Sequence, residues 1–229
     1  MKTLAIVPAR GNSKSVPRKN FAPVCGKPLI WYTLDCALRS RLLDRIIVST
    51  EDDEIAAIAE SMEIAVERRP LQLCRDDTPT LAVLQWHLNQ QDDYFDGVLC
   101  LQPTCPLRLP EDIDGAIELL ESSGADSVVS YVDVGPNHPA RMATIREGKV
   151  YPVPAVDSPS RWARRQDLQS YYLRSGDIYL TRSSVLQESL TGNHCRAWII
   201  EPERHCNVDG PLDLVWARKR VSMLTGAST

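Results

Sequence analysis

Residues 9–20 of the chain read ARGNSKSVPRKN. Arg10, Lys14, Arg18 and Lys19 are basic, and no acidic residue lies among them. Arginine offers a planar fork of N–H donors and lysine a mobile point charge, and phosphate groups use both. Gly11, Ser13 and Ser15 leave backbone N–H groups accessible, and successive N–H groups in a tight turn make an anion-binding concavity. The chemistry implied is the binding of a polyphosphate. A solvated basic loop with no ligand accounts for the charges alone equally well. The spacing is neither GxxxxGK[ST] nor GxGxxG, so neither a P-loop nor a dinucleotide fingerprint explains it.

A loop of this kind grips a ligand only if rigid elements hold it. Apolar runs rich in valine and isoleucine predict strands at Thr3–Pro8, Arg45–Thr50, 64–67, 97–102 and 126–131. Helical spacing of apolar residues predicts helices at Leu29–Arg39, 53–62, 81–90 and 111–122. Acidic residues after Thr50, and again after Pro110, suit the first turn of a helix. Alternating strands and helices predict an α/β fold: a mainly parallel, Rossmann-like sheet with helices on both faces. Ligands of such sheets bind at the carboxyl ends of the strands, so the loops after Pro8, Thr50, Glu67 and Gln102 are the ones expected to carry chemistry. Beyond Tyr131 the rhythm fails. Residues 133–170 are rich in proline and arginine and read as an arm, a candidate dimerisation insertion within one domain spanning 1–229. Strands at 171–181 and 196–201 and a helix at 212–224 close the chain.

The 229 residues are 43% hydrophobic and 24% charged, ordinary globular usage that excludes a disordered or fibrous chain. A net charge of −4 argues against a nucleic-acid-coating protein. No run approaches the ~20 apolar residues of a membrane span, and the opening residues are too soon interrupted for a secretory signal. The seven cysteines are widely spaced with no CxxC pair, as expected of reduced thiols in a cytoplasmic protein. His194-Cys195 and His205-Cys206 lack further ligands at metal-binding spacing. His87 falls in a helical stretch and reads as a packing or surface residue.

The loop, followed by Gly26-Lys27-Pro28-Leu29, resembles the CMP-sialic acid synthetase family, the acylneuraminate cytidylyltransferases. DRIIVSTEDDEIA at 44–56, Arg69-Pro70, Asp77-Thr78-Pro79-Thr80 and LQPTCPLR at 101–108 continue the resemblance in order. So do Arg164-Arg165-Gln166-Asp167, the strand from Gly176 to Tyr179, and Val208-Asp209 with Pro211-Leu212-Asp213-Leu214. The similarity runs from about residue 3 to 222.

The resemblance implies attack of an acceptor oxygen on the α-phosphorus of CTP, with release of pyrophosphate. It implies Arg10, Lys19 and Asn20 as catalytic contacts to the triphosphate, and Ala9, Gly11, Lys14, Arg69 and Thr80 as nucleotide-binding residues. Arg69 can donate to the cytosine O2, though without the resemblance a cap or surface arginine is the simpler reading. Acceptor binding falls to Gln102, Arg141, Arg165 and Gln166, with Arg161 and Arg164 close in sequence. Mg2+ is the expected cofactor and Asp209 its ligand. The family usually carries two aspartates separated by one residue, and Asn207 stands in the first position here. Asp213 reads as a first-turn cap and Cys105 as a serine-like structural position. The expected partners are CTP, a small acidic acceptor and a second copy of the chain, with no nucleic acid or membrane. The acceptor is expected to be a sialic-acid-like 2-keto-3-deoxy sugar acid. Because Arg141, Ser175, Asp177 and Asn207 depart from the family pattern, another acid such as a phosphonate, or nucleotide binding without turnover, stays open.

Overall fold

The computed structural model of the protein describes residues 1–153 and 164–226. Strand β1 (Thr3–Pro8) opens the chain, and β2 (Pro23–Val24) and β3 (Lys27–Pro28) form a small hairpin that delivers it into helix α1 (Leu29–Arg39). There follow β4 (Arg45–Thr50), α2 (Asp53–Ser61), β5 (Ala65–Arg68), α3 (Thr80–Leu88), β6 (Gly97–Cys100), α4 (Pro110–Ser123) and β7 (Ser127–Asp133). The remainder is a hairpin of β8 (Ala143–Arg146) and β9 (Lys149–Pro152), then β10 (Tyr172–Arg182), α5 (Ser183–Leu186), β11 (Cys195–Ile199) and α6 (Pro211–Thr225). Among the described residues no helix is long and apolar enough to cross a membrane.

Seven strands make one sheet in the order β11-β7-β10-β6-β1-β4-β5. β1 lies parallel to both β4 and β6, and β4 to β5, whereas β10 runs antiparallel between β6 and β7. The expected mainly parallel sheet is therefore present, with one reversed strand that local patterning does not distinguish from its neighbours. Alternation along β1 serves both faces. Ala5 and Val7 join a core with Ile30 and Leu34 of α1, Ile55 of α2 and Ile113 of α4. Leu4 and Ile6 join another with Leu84 of α3 and Leu186 of α5. A third, smaller cluster holds the first loop down: Val16 packs with Leu29, Leu107, Val208 and Leu214 of α6.

The arm region contributes a short turn at Pro139–Arg141, the β8–β9 hairpin with Thr144 opposite Tyr151, and a turn at Arg165–Asp167. The hairpin was not anticipated. Its residues are exposed on every side, so no buried face imposes a period-2 pattern. Arg161 lies outside the described residues.

The loop after β6 is fixed by one buried cation. Arg108 is 4% exposed. It donates to Asp177 O at 2.7 Å, to Thr33 Oγ1 at 3.2 Å and to Gln102 O at 2.9 Å. It thereby ties α1, β10 and the 101–109 loop together. Arg108→Ala leaves these buried acceptors without that donor and is expected to cost roughly 2–4 kcal/mol of stability. Urea denaturation measures it, and a loss below about 1 kcal/mol would show the loop to be held by other contacts.

Candidate active site

A cleft of about 330 Å³ opens at the carboxyl ends of β1, β4, β5 and β6. Arg10, Lys19 and Asn20 reach it from the first loop, Arg69 and Thr80 from the segment between β5 and α3, Gln102 from the loop after β6, and Asp209 from before α6. Seven residues singled out in the sequence thus line one hollow.

The first loop is ordered by an unusual backbone turn. Arg18 sits in the left-handed region at φ 52°, a conformation that costs a non-glycine residue roughly 1 kcal/mol, and is followed by a single 3-10 turn over Lys19–Phe21. Asn20 is buried and donates through Nδ2 to Arg10 O at 2.9 Å, closing the loop on itself. Lys19 Nζ donates to Val208 O at 2.8 Å and lies 3.4 Å from Asp209 Oδ1. Gly11 packs so tightly on α2's cap that a Cβ there would come within 2.9 Å of Asp52 Cβ.

Each cation of the loop has an acidic partner from elsewhere. Arg10 Nη1 and Lys14 Nζ both reach Asp76, each at 2.6 Å. Arg18 pairs with Glu54 at 2.8 Å and Lys19 with Asp209. The hydrogen bond from Lys14, together with its charge and those of Arg10, holds the Asp76 carboxyl below its ordinary range. The loop that looks purely basic along the chain is therefore charge-matched in space, and an incoming anion competes with Asp76. Asp76 and Arg75 both line the cleft. Sequence reasoning missed them, although they stand immediately before the Asp77-Thr78-Pro79-Thr80 segment.

Other expected residues are placed differently. The N–H groups of Ala9 and Gly11 are already engaged, donating to Ser49 O and Glu51 Oε1 at 2.9 Å each. Lys14 lies off the cleft, largely exposed. Arg141 and Gln166 line a separate hollow at the base of the arm, shared with His138 and Tyr171, so the expected acceptor set is divided between two cavities. The Arg165 side chain lies outside the described residues. Ser175 and Asp177, which flank Gly176, are buried. Burial pushes the Asp177 carboxyl up, and Ser175 donates to Ser130 Oγ at 2.7 Å. Gly176 itself, at φ +90°, brings backbone close to the cleft: a Cβ there would lie 3.2 Å from Gln102 Oε1 and 3.6 Å from Asn207 Nδ2.

Asp209 is an exposed carboxylate of the cleft, as Asp76 is, and its backbone N–H is held by Asp213 Oδ2 at 2.9 Å, so Asp213 caps α6 as its position suggested. Asn207 directs Nδ2 at Asp209 Oδ2, 3.0 Å away. Among the described residues no three His, Cys, Asp or Glu side chains converge as a metal cage. A hard divalent ion nevertheless fits the donor chemistry, because magnesium takes one or two carboxylates and completes its shell with substrate phosphates and water.

The model of the cytidylyltransferase family matches residues 4–190. An N-acylneuraminate cytidylyltransferase of Streptococcus agalactiae serotype III (strain NEM316) is 32% identical over 94% of this chain and 52% of that protein. The pseudaminic acid cytidylyltransferase of Campylobacter jejuni is 30% identical over 95% of both chains. The chain spans about half the length of the first curated relatives it matches. A solved structure of CMP:2-keto-3-deoxy-manno-octonic acid synthetase complexed with CTP shares the fold, with a TM-score of 0.71 at 18% identity, over 99% of this chain and 100% of that one.

If Asp76 is the resident counter-ion of Arg10 and Lys14, its removal frees both for an added anion. Asp76→Ala is expected to tighten tripolyphosphate binding about two- to fivefold at low salt, read by calorimetric titration. Unchanged or weaker binding would mean that Asp76 does not compete for the anion.

Proposed function

The chain belongs to the cytidylyltransferase family, and from that premise we propose that it transfers CMP from CTP to a small acid, most readily a sialic-acid-like 2-keto-3-deoxy sugar acid. The observation that carries this reading is the convergence of Arg10, Lys19, Asn20, Arg69 and Asp209 on one cleft at the sheet's carboxyl edge. Relatives named for acylneuraminate and pseudaminic acid support the choice of acceptor.

In the proposed reaction an acceptor hydroxyl oxygen bonds to the α-phosphorus, the bond from that phosphorus to the bridging oxygen breaks, and pyrophosphate leaves with the electron pair. The hydroxyl proton passes to solvent. Reactants and leaving group are all anionic, so the catalytic work is positioning and charge stabilisation. Arg10 and Lys19 supply positive charge to the triphosphate. Asn20 supplies a donor without charge, and Arg69 offers donors to the base. Asp209 would hold Mg2+, which when bound neutralises phosphate charge. Gln102 offers hydrogen bonds to acceptor hydroxyls. Arg141 and Gln166, the latter next to Arg165 in sequence, offer the acid donors in a hollow of their own.

A second acceptor class is favoured by one observation. Asn207 spends its amide donor on Asp209 where the family pattern expects a carboxylate, leaving less negative charge near the acceptor. That suits a differently charged acid, including a phosphonate.

We further propose a homodimer through the arm, where Ile145 and Val150 are 73% and 67% exposed on the hairpin. The free state of all seven thiols supports a reducing, cytoplasmic location. Sedimentation at micromolar concentration should give twice the chain mass, and a monomer there contradicts the arm's role.

Pyrophosphate release with CTP and Mg2+, run against a panel of sugar acids and phosphonates, tests the activity. The wild type should turn over with a keto sugar acid. Arg10→Ala should lower the rate by about 10²–10³ with folding intact, and Asp209→Asn should abolish the Mg2+-dependent activity, retained activity placing the metal elsewhere. CTP binding with no release on any acid would leave a nucleotide-binding protein, and an unchanged Arg10→Ala rate would remove that residue from the site.

A further inference from the structure

Behind the cleft wall lies a chain of polar side chains that the reaction above does not use. Arg69 is 7% exposed and spends two N–H groups inward. Nε donates to Ser49 Oγ and Nη2 to Ser49 O, both at 2.9 Å. Ser49 Oγ in turn lies 2.5 Å from His87 Nε2, and His87 Nδ1 lies 2.6 Å from Glu67 Oε2. Gln91 Nε2 donates to the other Glu67 oxygen at 2.8 Å. Ser49 and His87 have no exposed surface.

The direction of these bonds is set from both ends, because Arg69 can only donate and the Glu67 carboxylate can only accept. His87 therefore carries a proton on Nδ1 and donates it to Glu67. With the imidazole neutral, Nε2 accepts from Ser49 Oγ, whose lone pairs accept from Arg69. Burial pushes the Glu67 carboxyl up, but the hydrogen bonds from His87 and Gln91 outweigh it and keep it below its ordinary value, a carboxylate ready to accept. Serine, histidine and glutamate in this order also make a hydrolytic triad, but here the serine oxygen is sealed from solvent and already faces a cation. The alignment serves the arginine.

We propose that Glu67, His87 and Ser49 form a positioning relay that fixes the plane of the Arg69 guanidinium, so that its remaining N–H groups discriminate the base of the bound nucleotide. The inference rests on the cleft being a CTP site. Cytosine presents two adjacent acceptors, O2 and N3, whereas uracil presents O2 beside an N3–H donor. A guanidinium locked in one plane offers donors alone, so it pairs with both cytosine atoms and opposes a donor to a donor on uracil. One free to turn recovers a single bond with either base and loses the distinction. Glu67, His87 and Ser49 are then positioning residues, none of which touches the substrate.

Calorimetric titration of CTP and of UTP, without acceptor, separates this from a merely structural role. Ser49→Cys keeps the shape of the side chain and replaces the hydroxyl with a weak hydrogen-bonding thiol. It is expected to weaken CTP binding about tenfold while UTP affinity stays within about twofold, so that the preference collapses. His87→Gln carries the same expectation should Ser49→Cys fail to fold. A relay with only a packing role would lower both affinities together. A wild type that prefers CTP, with variants keeping its CTP-to-UTP ratio, overturns the relay alone. A wild type that binds neither nucleotide overturns the CTP reading and the relay with it.

Discussion

Charge matching sets each cation of the first loop beside a carboxylate from elsewhere in the chain. Arg10, Lys14, Arg18 and Lys19 crowd into a short turn that unopposed repulsion would open. They are held by Asp76, Glu54 and Asp209, which arrive from three separate places in the chain. A parallel sheet is suited to this task, because every strand-to-helix loop emerges at the same edge. The pairs of Arg10, Lys14 and Arg18 are exposed enough to be exchanged for a stronger anion, and exposed ion pairs are individually weak. The same contacts that order the loop are thus ones a polyphosphate can replace at modest cost.

Much of the scaffold was legible in the sequence because its signals are local. β1, β4 and α1 begin and end where apolar alternation and helical spacing say they do. Asp213 accepts from a backbone N–H group as a first-turn cap, as its position implies, while Asp52, expected within the first turn of α2, caps that helix instead. The reversed direction of β10 was not legible, since strand direction is a property of pairing partners and not of composition. The β8–β9 hairpin escaped for a related reason: with both faces wet, it carries no alternation to read.

The site divides in the same way. Topology placed the loops that leave the sheet edge together, the family resemblance named Arg10, Asn20, Arg69 and Gln102 on them, and one cleft brings these four together. Residues on the irregular stretch could not, and Arg141 and Gln166 line a different hollow. The backbone N–H of Gly11 looked available along the chain, yet Glu51 takes it. His87 read as a packing or surface residue because the partners of its ring nitrogens are far away in sequence. Ser49 lies 38 positions away and Glu67 20 positions away. A relay assembled from two strands and a helix becomes visible only when the sheet is formed.

The most direct measurement is a crystal structure of the protein soaked with CTP. The triphosphate should sit within hydrogen-bonding distance of Arg10, Lys19 and Asn20, with Arg10 released from Asp76 and the base beside Arg69. A nucleotide bound away from that turn, with Arg10 still on Asp76, would contradict the account.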